Sequence, residues 1–291
     1  MKEMQEGMQR AFAAQDIEVW GIADIRGTPL RPVRCAEQMD FVPTYAICAL
    51  FPYYAGQWPG NLSLYARGQD YHQVVMRRLE AVASQLEEVL TGVKFACFVD
   101  NSPIDEVATA VRCGLGRRGM HQLLIHPKWG SFCFIGEILC DAKELPVTSP
   151  LPHELCRHCG ICVANCPTQA LRMEECGQLT YHKDLCLSHI TQKKNDFLPE
   201  PDGVLMQKGQ RVWGCDRCQL LCPWNRKVPV TPFPEFLEDL MPDILPEHLE
   251  GLSNREFQRR YRDRAFTWRG IGVLRRNLDI MAKSHRNFDN T

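Results

Sequence analysis

The sequence predicts an α+β fold over residues 1–148, followed by a cysteine-rich domain and a short helical tail. The first range alternates amphipathic helices with short apolar strands, two of them joined by a predicted hairpin, which favours α+β over a doubly wound parallel sheet. Residues 149–230 contain two dense cysteine motifs, and residues 231–291 are predicted to be helical with an excess of positive charge. A chain of 291 residues is long enough for more than one domain, and these ranges are the predicted domains.

Hydrophobic periodicity locates most elements of the first domain. Apolar side chains at helical spacing predict helices over residues 2–14 and 70–90. Short apolar runs predict strands over residues 17–23, 45–51 and 93–99, and the last two runs are apolar enough to be buried on both faces.

Turn and capping signals predict the rest of this domain. The stretch Ser102-Pro103-Ile104-Asp105 has a capping-box pattern with proline at the first helical position, which predicts a helix running to about Cys113. Strands over residues 123–126 and 131–140 flank residues 127–130 and predict a hairpin. The sequence has no GxGxxG after a strand and no P-loop, so neither a dinucleotide site nor a nucleotide phosphate site is indicated.

Two cysteine motifs give the most specific signal in the sequence. The first has the spacing C-x-x-C-x-x-C-x-x-x-C-P, and the second is a detached cysteine followed by C-x-x-C-x-x-x-C-P. This is the bacterial-ferredoxin spacing, in which three close thiolates hold one [4Fe–4S] cluster and the fourth binds a second cluster. The predicted allocation is Cys156, Cys159, Cys162 and Cys222 on one cluster, and Cys215, Cys218, Cys186 and Cys166 on the other.

Other interpretations of these cysteines are weaker. A zinc ribbon would have paired CxxC units without the third close ligand and without Cys-Pro. A disulfide framework is typical of small secreted domains, whereas this chain has 291 residues, of which 45% are hydrophobic.

Composition predicts a reducing, cytoplasmic location. The chain has fifteen cysteines, and its first ten residues contain no apolar segment of the kind found in export signals. The longest apolar run, over residues 41–55, is interrupted by prolines and is too short for a membrane span, so no membrane association is expected.

Charge is distributed unevenly along the chain. The net charge is −1, but residues 251–291 contain ten Lys and Arg against four Asp and Glu, a local +6. A basic tail on an acidic body suggests a polyanionic partner, with a solvated amphipathic helix as the equal alternative. The basic tail is predicted to be a helix capped by Ser253 that presents Arg255, Arg259 and Arg262, with the positive run continued by Arg275 and Arg276.

Several stretches together resemble one family, the epoxyqueuosine reductases, and the resemblance covers about residues 45–280. The Cys-Pro-Trp-Asn ending at residues 222–225 is far more specific than a generic ferredoxin motif. The matching stretches are Tyr65-Ala-Arg-Gly-Gln-Asp-Tyr-His72, Val99-Asp100-Asn-Ser-Pro103, Gly114-Leu-Gly116 with Gly119, Gly130-Ser131, Gly136-Glu137-Ile-Leu139 with Asp141, Cys156 through Ala170, Gly214-Cys215-Asp216-Arg217-Cys218-Gln219, Cys222-Pro223-Trp224-Asn225, Leu252-Ser-Asn-Arg-Glu-Phe257 and Leu274-Arg-Arg-Asn277.

The resemblance implies a fold, an activity and cofactors. The family is related to the reductive dehalogenases, and its fold would be a nitroreductase-like α+β corrinoid domain followed by a ferredoxin-like domain with two [4Fe–4S] clusters. Its members use cobalamin and the clusters to remove the epoxide oxygen of epoxyqueuosine in tRNA as water, the last step of queuosine biosynthesis. The partners implied are a queuosine-type tRNA as substrate and an external low-potential electron donor.

By the same resemblance, Asp100 occupies the position of the family's proposed proton donor. The local sequence supports this interpretation, because Asp100 follows an apolar strand where desolvation would raise its pKa. Ser102 is predicted to cap the next helix, which leaves Asp100 available for chemistry. The alternative is an ordinary turn aspartate.

Two further groups of residues are candidate cofactor contacts by resemblance. Tyr65, Arg67 and His72 could line the corrinoid or substrate pocket, although the same stretch could be a helix N-terminus with Asp70 near its dipole. The resemblance argues against His72 as a cobalt ligand, because the family binds its corrinoid without a protein histidine below cobalt. The second group is Gly114, Gly116 and Gly119. Without side chains, these residues would let the protein backbone approach the flat corrinoid macrocycle; the alternative is that they only end a helix and form a turn.

The chain also departs from the family. The family tends to have a lysine just after the position of Gly119, whereas this chain has Met120-His121. Seven further cysteines are surplus to the clusters, and most are expected to be ordinary buried thiols. They are Cys35, Cys48, Cys97, Cys113, Cys133, Cys140 and Cys176.

Three functions follow from these observations. The first is a corrinoid-dependent reductase of epoxyqueuosine in tRNA. The second is a two-cluster electron-transfer protein without chemistry of its own. The third is a corrinoid reductase of another small substrate. The large α+β domain favours an enzyme, because a simple electron carrier does not need it.

Overall fold

The structure of the protein, a computed structural model, describes residues 2–31, 39–57, 59–194 and 198–288. Cys35 lies outside the described residues. Contacts between Cα atoms divide the chain into two units that alternate along the sequence. The first unit is Met1–Tyr53, Tyr71–His158 and Thr231–Phe233, and the second is Tyr54–Asp70, Cys159–Val230 and Pro234–Thr291.

This division differs from the predicted domains in one respect that matters for the site. Residues 54–70 belong to the second unit, together with most of the cysteine motifs and the basic tail. The predicted boundaries at residues 148 and 230 stay predictions. Each unit is described separately below.

The first unit contains three α-helices and six strands in its described residues. The helices are α1 (Lys2–Ala13), α2 (Tyr71–Val89) and α3 (Glu106–Arg112). The strands are β1 (Trp20–Asp24), β2 (Tyr45–Pro52), β3 (Phe95–Val99), β4 (Arg117–Arg118), β5 (Leu124–Ile125) and β6 (Cys133–Cys140).

The core of the first unit is a four-stranded antiparallel sheet with the strand order β1-β2-β6-β3. All eight residues of β2 are buried, as expected for a central strand whose apolar run does not alternate. Helix α2 packs closely on one face, where a Cβ atom at Gly136 would lie 2.8 Å from Phe51 and 2.9 Å from Leu79. Helix α3 packs on the other face, where Ala110 joins a buried cluster with Cys48 and Leu50.

The predicted hairpin between residues 123–126 and 131–140 is wrong. Strand β5 pairs with β4, and β6 pairs with β2 on one side and β3 on the other. Because both edges of β6 are occupied by long strands, it has no edge left for β5. The turn itself is present, as a single antiparallel bridge between His126 and Gly130.

The predicted capping box at Ser102 is also wrong. Helix α3 begins at Glu106, and its cap is Asp105, whose carboxylate accepts a hydrogen bond from the Ala108 N–H at 2.9 Å. The Ser102 hydroxyl instead accepts from the Ile104 N–H at 3.4 Å within a buried turn. A local turn therefore outcompetes the capping pattern.

The described part of the second unit consists mainly of helices, four of them with seven residues or fewer, and one hairpin. The helices in its described residues are α4 (Ile161–Ala164), α5 (Leu187–Ile190), α6 (Glu200–Gly209), α7 (Arg217–Leu220), α8 (Asn254–Arg260) and α9 (Ile271–Phe288). The hairpin consists of β7 (Leu171–Met173) and β8 (Leu179–Tyr181). Across the described ranges of the whole chain, none of the helices is both long enough and apolar enough to cross a bilayer.

A buried aspartate joins two distant parts of the second unit. Asp216 is 1% exposed, and its carboxylate accepts hydrogen bonds from the Ser63 hydroxyl at 2.5 Å and the Leu64 N–H at 2.9 Å. Leu62 and Trp213 form a parallel bridge beside it. These contacts fix the loop that carries the second cysteine motif.

The tail differs in part from its prediction. Ser253 caps α8, as predicted, and it also forms a reciprocal capping box with Glu256. Arg276 does not continue a positive surface, because it is 9% exposed and its guanidinium donates to the Lys193 carbonyl and the Asn277 side chain. Arg255, Arg259 and Arg262 are exposed.

Candidate functional site

Asp100 sits in a sharp turn directly after β3. Asp100 and Asn101 have φ angles of 52° and 50°, in the left-handed region that Asp and Asn tolerate better than most residues. The Tyr71 hydroxyl donates a hydrogen bond to Asp100 Oδ2, and His72 Nε2 lies 3.3 Å from the same oxygen. Both partners come from the first turn of α2, so the start of that helix holds the carboxyl group in place.

An aromatic stack orients these partners. The Tyr71 ring stacks on Phe134 of β6, with centroids 4.1 Å apart and planes 4° apart. It also stacks on His72 at 4.0 Å. The side chains of Asp100 and His72 remain 50% and 40% exposed, so a substrate can reach them.

The pKa of Asp100 contradicts the sequence-based expectation. Burial does favour the protonated form, but the hydrogen bonds from His72 and Tyr71 stabilise the carboxylate more, so the pKa lies below its ordinary value. Asp100 is therefore mostly ionised at neutral pH, and it can donate a proton only after another group has protonated it.

Two further carboxyl groups of the first unit have raised pKa values: Glu137 is buried, and the half-buried Glu106 interacts electrostatically with Asp100. Glu137, on β6 opposite Cys48 of β2, is 1% exposed, and burial raises its pKa to about 8. Burial, together with the negative charge of Asp100, raises the pKa of Glu106 to about 7. One oxygen of each group, Oε1 of Glu106 and Oε2 of Glu137, has no hydrogen-bond partner among the described residues.

We expect Glu137→Gln to weaken the pH dependence of stability. The folded-state pKa of Glu137 is raised from 4.5 to about 8, so the folded protein holds a proton that the unfolded chain releases. That contribution is complete below about pH 4.5 and is lost as pH rises through about pH 8. The free energy of unfolding should decrease from pH 5 to pH 9 in the unsubstituted protein, and the decrease should be smaller by a few kcal/mol in Glu137→Gln.

Urea unfolding at pH 5, 7 and 9 measures this difference. The exposed Glu88→Gln on α2 is the matched control and should parallel the unsubstituted protein. A Glu137→Gln curve that also runs parallel would show that Glu137 titrates normally.

The candidate glycines have contacts within the chain itself. Gly114 has a φ of 74°, and a Cβ atom there would lie 2.6 Å from the Ser149 carbonyl oxygen. A Cβ atom at Gly116 would lie 2.3 Å from the Ile125 carbonyl oxygen, in the β4–β5 pairing. At Gly119 it would meet His121 and Ile125 at 2.8 Å. The close backbone contacts alone therefore account for Gly114 and Gly116, whereas Gly119 faces only side chains. The contact of all three glycines with a macrocycle stays a prediction.

The Met120-His121 departure lies beside a predicted cluster ligand. The Met120 N–H donates to the Cys156 sulfur at 3.4 Å. His121 is 5% exposed, and burial lowers its pKa to about 4, so the ring is neutral. Its Nδ1 accepts from the Leu123 N–H, and its Nε2 has no hydrogen-bond partner in the described ranges.

Tyr65 and Arg67 belong to the second unit. The guanidinium of Arg67 is 4% exposed and donates twice to the Leu62 carbonyl, at 2.9 and 2.8 Å. The Tyr65 hydroxyl accepts from the Gln192 side chain at 3.0 Å. Arg67 is thus engaged in holding its own loop, and its corrinoid contact, like those of the three glycines, stays a prediction. Tyr65 and His72 stay predicted contacts.

Cysteines of both predicted clusters influence one another electrostatically in the second unit, and their allocation to two clusters stays a prediction. Burial and then the charge of Cys186 raise the pKa of Tyr181, with smaller contributions from Cys218 and Cys166. The pKa of Cys218 is raised first by burial and then by the charges of Cys215, Cys186, Asp216 and Cys162. Burial likewise raises the pKa of Cys215 to about 12.

Such a donor set suits an iron–sulfur cluster. Buried thiols that repel one another as thiolates need positive charge between them, which the irons of a cluster supply. Among the described side chains, no three His, Cys, Asp or Glu residues lie close enough to share one metal ion. A four-iron cluster does not require this, because each thiolate binds a different iron.

The two Cys-Pro motifs have matching local structures. In the first motif, the four-residue helix α4 contains Cys162 and ends two residues before Cys166. In the second motif, the four-residue helix α7 contains Cys218 and ends two residues before Cys222. The N–H groups of Cys166 and Cys222 then donate back to Val163 and Gln219, and proline follows. Cys222 is 8% exposed, as a ligand shielded from water should be.

Sequence reasoning missed Tyr71, Glu106 and Glu137. The signal for Glu137 was available, because an acid inside the apolar run Phe134-Ile-Gly-Glu137-Ile-Leu139 is unusual unless it is protonated or paired. Tyr71 and Glu106 gave no comparable signal, because each fits an ordinary amphipathic helix.

Two family models match this chain. The model described as "Epoxyqueuosine reductase QueG, DUF1730" matches residues 43–101, a range that includes Asp100 and its partners Tyr71 and His72. The model described as "4Fe-4S double cluster binding domain" matches residues 155–225, which contain all eight predicted cluster ligands.

Curated relatives with the name epoxyqueuosine reductase align with much of the chain. The protein from Staphylococcus aureus is 37% identical over 229 residues, which is 77% of this chain and 57% of the relative. The Listeria monocytogenes protein is 35% identical over 224 residues, 75% of this chain and 56% of the relative. The chain thus spans about half the length of the curated relatives it matches.

Solved structures of the same name share the fold. The epoxyqueuosine reductase from Streptococcus thermophilus has a TM-score of 0.79 at 23% identity, covering 97% of this chain and 81% of that one. An epoxyqueuosine reductase with an epoxyqueuosine-modified tRNA-Tyr stem loop has a TM-score of 0.80 at 20% identity, covering 97% and 82%. These similarities and the family models confirm a mixed α and β fold with a double-cluster domain.

Proposed function

Because the chain belongs to the epoxyqueuosine reductase family, we propose that it reduces epoxyqueuosine in tRNA, removing the epoxide oxygen as water. The observation that carries the proposal is the pairing of Asp100, held by Tyr71 and His72, with a double-cluster segment in one chain. The nitroreductase-like and ferredoxin-like descriptions of the two parts, and a cytoplasmic location, belong to the same proposal.

The reaction needs two electrons and two protons for each epoxide. One proton reaches the leaving oxygen, and Asp100 is the group we assign to this step. Its exposed side chain, anchored by two hydrogen bonds, can meet a base carried by tRNA. A corrinoid, when bound, supplies the electron chemistry at the epoxide, and the protein supplies binding, orientation and protons.

Clusters held by the predicted cysteine ligands would relay electrons to the site from a low-potential donor outside the chain. Among the ligands predicted for one cluster, Cys162 and Cys222 are buried and Cys159 is exposed, and solvent exposure is one of the factors that sets a cluster's potential. A two-cluster electron carrier would share this half of the chain, but it has no use for an anchored carboxylate such as Asp100.

We expect charge reversal on the tail to weaken tRNA binding. Arg259 and Arg262 are exposed, and glutamate at both positions would remove two phosphate contacts. The slope of log affinity against log salt should become shallower by about two. Filter binding of an undermodified tRNA at several salt concentrations measures this slope.

The control for this experiment is Lys208→Glu, which reverses an exposed charge on α6, outside the basic tail. It should leave the slope unchanged. Equal slopes for the Arg variant and the unsubstituted protein would assign the tail a structural role.

Reconstitution followed by an activity assay tests the whole proposal. The purified protein is incubated with iron, sulfide and cobalamin, desalted, and examined by absorption spectroscopy. It is then assayed with a chemical reductant and epoxyqueuosine-containing tRNA. Stoichiometric corrinoid and queuosine in the product support the proposal. Two clusters without corrinoid uptake indicate an electron carrier, and corrinoid uptake without tRNA binding indicates a reductase of another substrate.

A further inference from the structure

Trp268 is more exposed than any other Phe, Tyr or Trp that the structure describes. It is 56% exposed, whereas Trp129 and Trp213 are 5% and 0% exposed. It lies on a single 3₁₀ turn of the second unit, Thr267–Arg269, between α8 and α9, and we call this segment the Trp268 turn. Burial of an indole removes a large apolar surface from water, so an exposed indole forgoes a stabilising contribution. The exposure of Trp268 therefore suggests a function at the surface.

Arg269 covers one face of the Trp268 ring. Its Cζ atom lies 3.6 Å from the ring centroid, which is a close cation–π contact. Its Nε atom is buried and has no hydrogen-bond partner among the described residues. An arginine keeps its positive charge at neutral pH. The pair therefore presents an aromatic ring with a cation directly behind it, while more than half of Trp268 stays open to solvent.

Hydrogen bonds hold the backbone on both sides of the indole. Thr267 is 8% exposed, and its hydroxyl donates to the carbonyl of Tyr261, which directly follows α8. At the start of α9, the Ile271 N–H donates to the Asn254 side chain at 3.0 Å. Because these bonds fix the turn before a partner arrives, little conformational entropy would be lost at Trp268 on binding.

The chain around the Trp268 turn is strongly basic. Residues 254–270 contain six Arg and two acidic residues, a local +4. One of the acids, Glu256, is engaged in the capping box of α8. The hydrogen bond from Thr267 to Tyr261 joins the turn to a segment with several exposed arginines. The exposed arginines on α8 and just after it are Arg255, Arg259, Arg260 and Arg262.

The chemistry of this surface fits an RNA with unpaired bases. Aromatic side chains and guanidinium planes stack on unpaired bases, and nearby cations contact the phosphates. A base inside a duplex is already stacked on its neighbours, so it cannot lie against an indole. A protein partner would need a broader apolar patch. Over residues 254–283, however, Trp268 is the only large hydrophobic side chain that is exposed.

We propose that Trp268 stacks on an unpaired base of the tRNA, on the ring face that Arg269 leaves open, while the nearby exposed arginines contact the adjacent phosphates. This inference rests on the proposed function, and it identifies part of the surface that holds the substrate. It makes Trp268 a binding residue rather than a catalytic one. Removal of its ring should therefore raise KM for the tRNA and leave turnover at saturating tRNA unchanged.

Filter binding of the purified protein to two RNAs tests the stacking. One RNA is a hairpin with an unpaired loop, and the other is a blunt duplex with the same stem. Trp268→Ala should weaken hairpin binding about tenfold or more without changing the slope of log affinity against log salt, because stacking releases no counterions from phosphate. Trp268→Phe should keep most of the affinity, and duplex binding should not change in either variant. The control is Val230→Ala, which shortens another exposed apolar side chain of the second unit and should bind both RNAs normally.

Tryptophan fluorescence gives a second readout. The chain has six tryptophans, and a stacked base quenches the indole that it covers. The fraction of the emission lost on addition of the hairpin should be smaller in Trp268→Phe than in the unsubstituted protein. Equal hairpin affinities for Trp268→Ala and the unsubstituted protein, or an equal loss of affinity for the hairpin and the duplex, overturn this inference even where the protein reduces epoxyqueuosine. Failure of the unsubstituted protein to bind tRNA overturns the proposed function as well.

Discussion

Asp100→Asn is expected to retain both clusters and any bound corrinoid while lowering turnover of epoxyqueuosine-tRNA by about 10²- to 10⁴-fold, the usual contribution of a general acid. Asparagine keeps the size of the side chain and can still accept hydrogen bonds from Tyr71 and His72. It has no acidic proton to give. Iron content, the absorption spectrum and single-turnover rates separate this loss from a loss of cofactor.

Two further variants sharpen this test. Asp40→Asn makes the same chemical change at an exposed ion pair with Lys94, and turnover should not change. Tyr71→Phe removes a hydrogen bond that stabilises the Asp100 carboxylate, so the pKa of Asp100 should rise and the alkaline limb of the pH profile should move to higher pH. Normal turnover in Asp100→Asn would remove Asp100 from the mechanism.

The second large effect concerns the exchange of ligands between the two cysteine motifs. Cys166→Ser should remove the cluster that is otherwise held by Cys186, Cys215 and Cys218, lowering iron from about eight to about four atoms per chain. Cys222→Ser should remove the other cluster and give the same iron content. Single variants therefore cannot distinguish crossed from uncrossed ligation.

Double variants can. With crossed ligation, Cys166→Ser combined with Cys215→Ser damages one cluster and leaves about four irons, whereas Cys166→Ser combined with Cys222→Ser damages both clusters. With uncrossed ligation, Cys166→Ser combined with Cys215→Ser would damage both. Iron analysis and electron paramagnetic resonance of the reduced protein measure the outcome. Cys176→Ser, an exposed thiol outside both motifs, should keep both clusters.

The features that the sequence predicts well are those set by nearby residues. The apolar run of β2, the periodicity of α2 and the Cys-Pro turns depend on local spacing, and all three are present in the structure. The predicted hairpin failed because strand pairing depends on which edges are free, and β2 and β3 occupy both edges of β6. The Ser102 capping box failed because Asp105 is the better-placed cap.

The site was predictable only in part, because it too depends on contacts between segments that are distant in the sequence. The position of Asp100 after an apolar strand was visible in the sequence, but its pKa depends on Tyr71 and His72, which lie 29 and 28 positions earlier. The carboxyl groups of Glu106 and Glu137 come from two further elements, α3 and β6. No short-range pattern connects four such segments, so their proximity had to come from the fold.

The contact between Ser63 and Asp216 also constrains when the second unit can mature. The two residues are 153 positions apart, so the Ser63 hydroxyl and the Leu64 N–H cannot bond to the Asp216 carboxylate until residue 216 has been synthesised. Closing a loop of this length costs on the order of 4 kcal/mol in chain entropy. Iron insertion into the second motif should therefore follow synthesis, and a nascent chain stalled before residue 216 would expose unliganded thiols to oxidation.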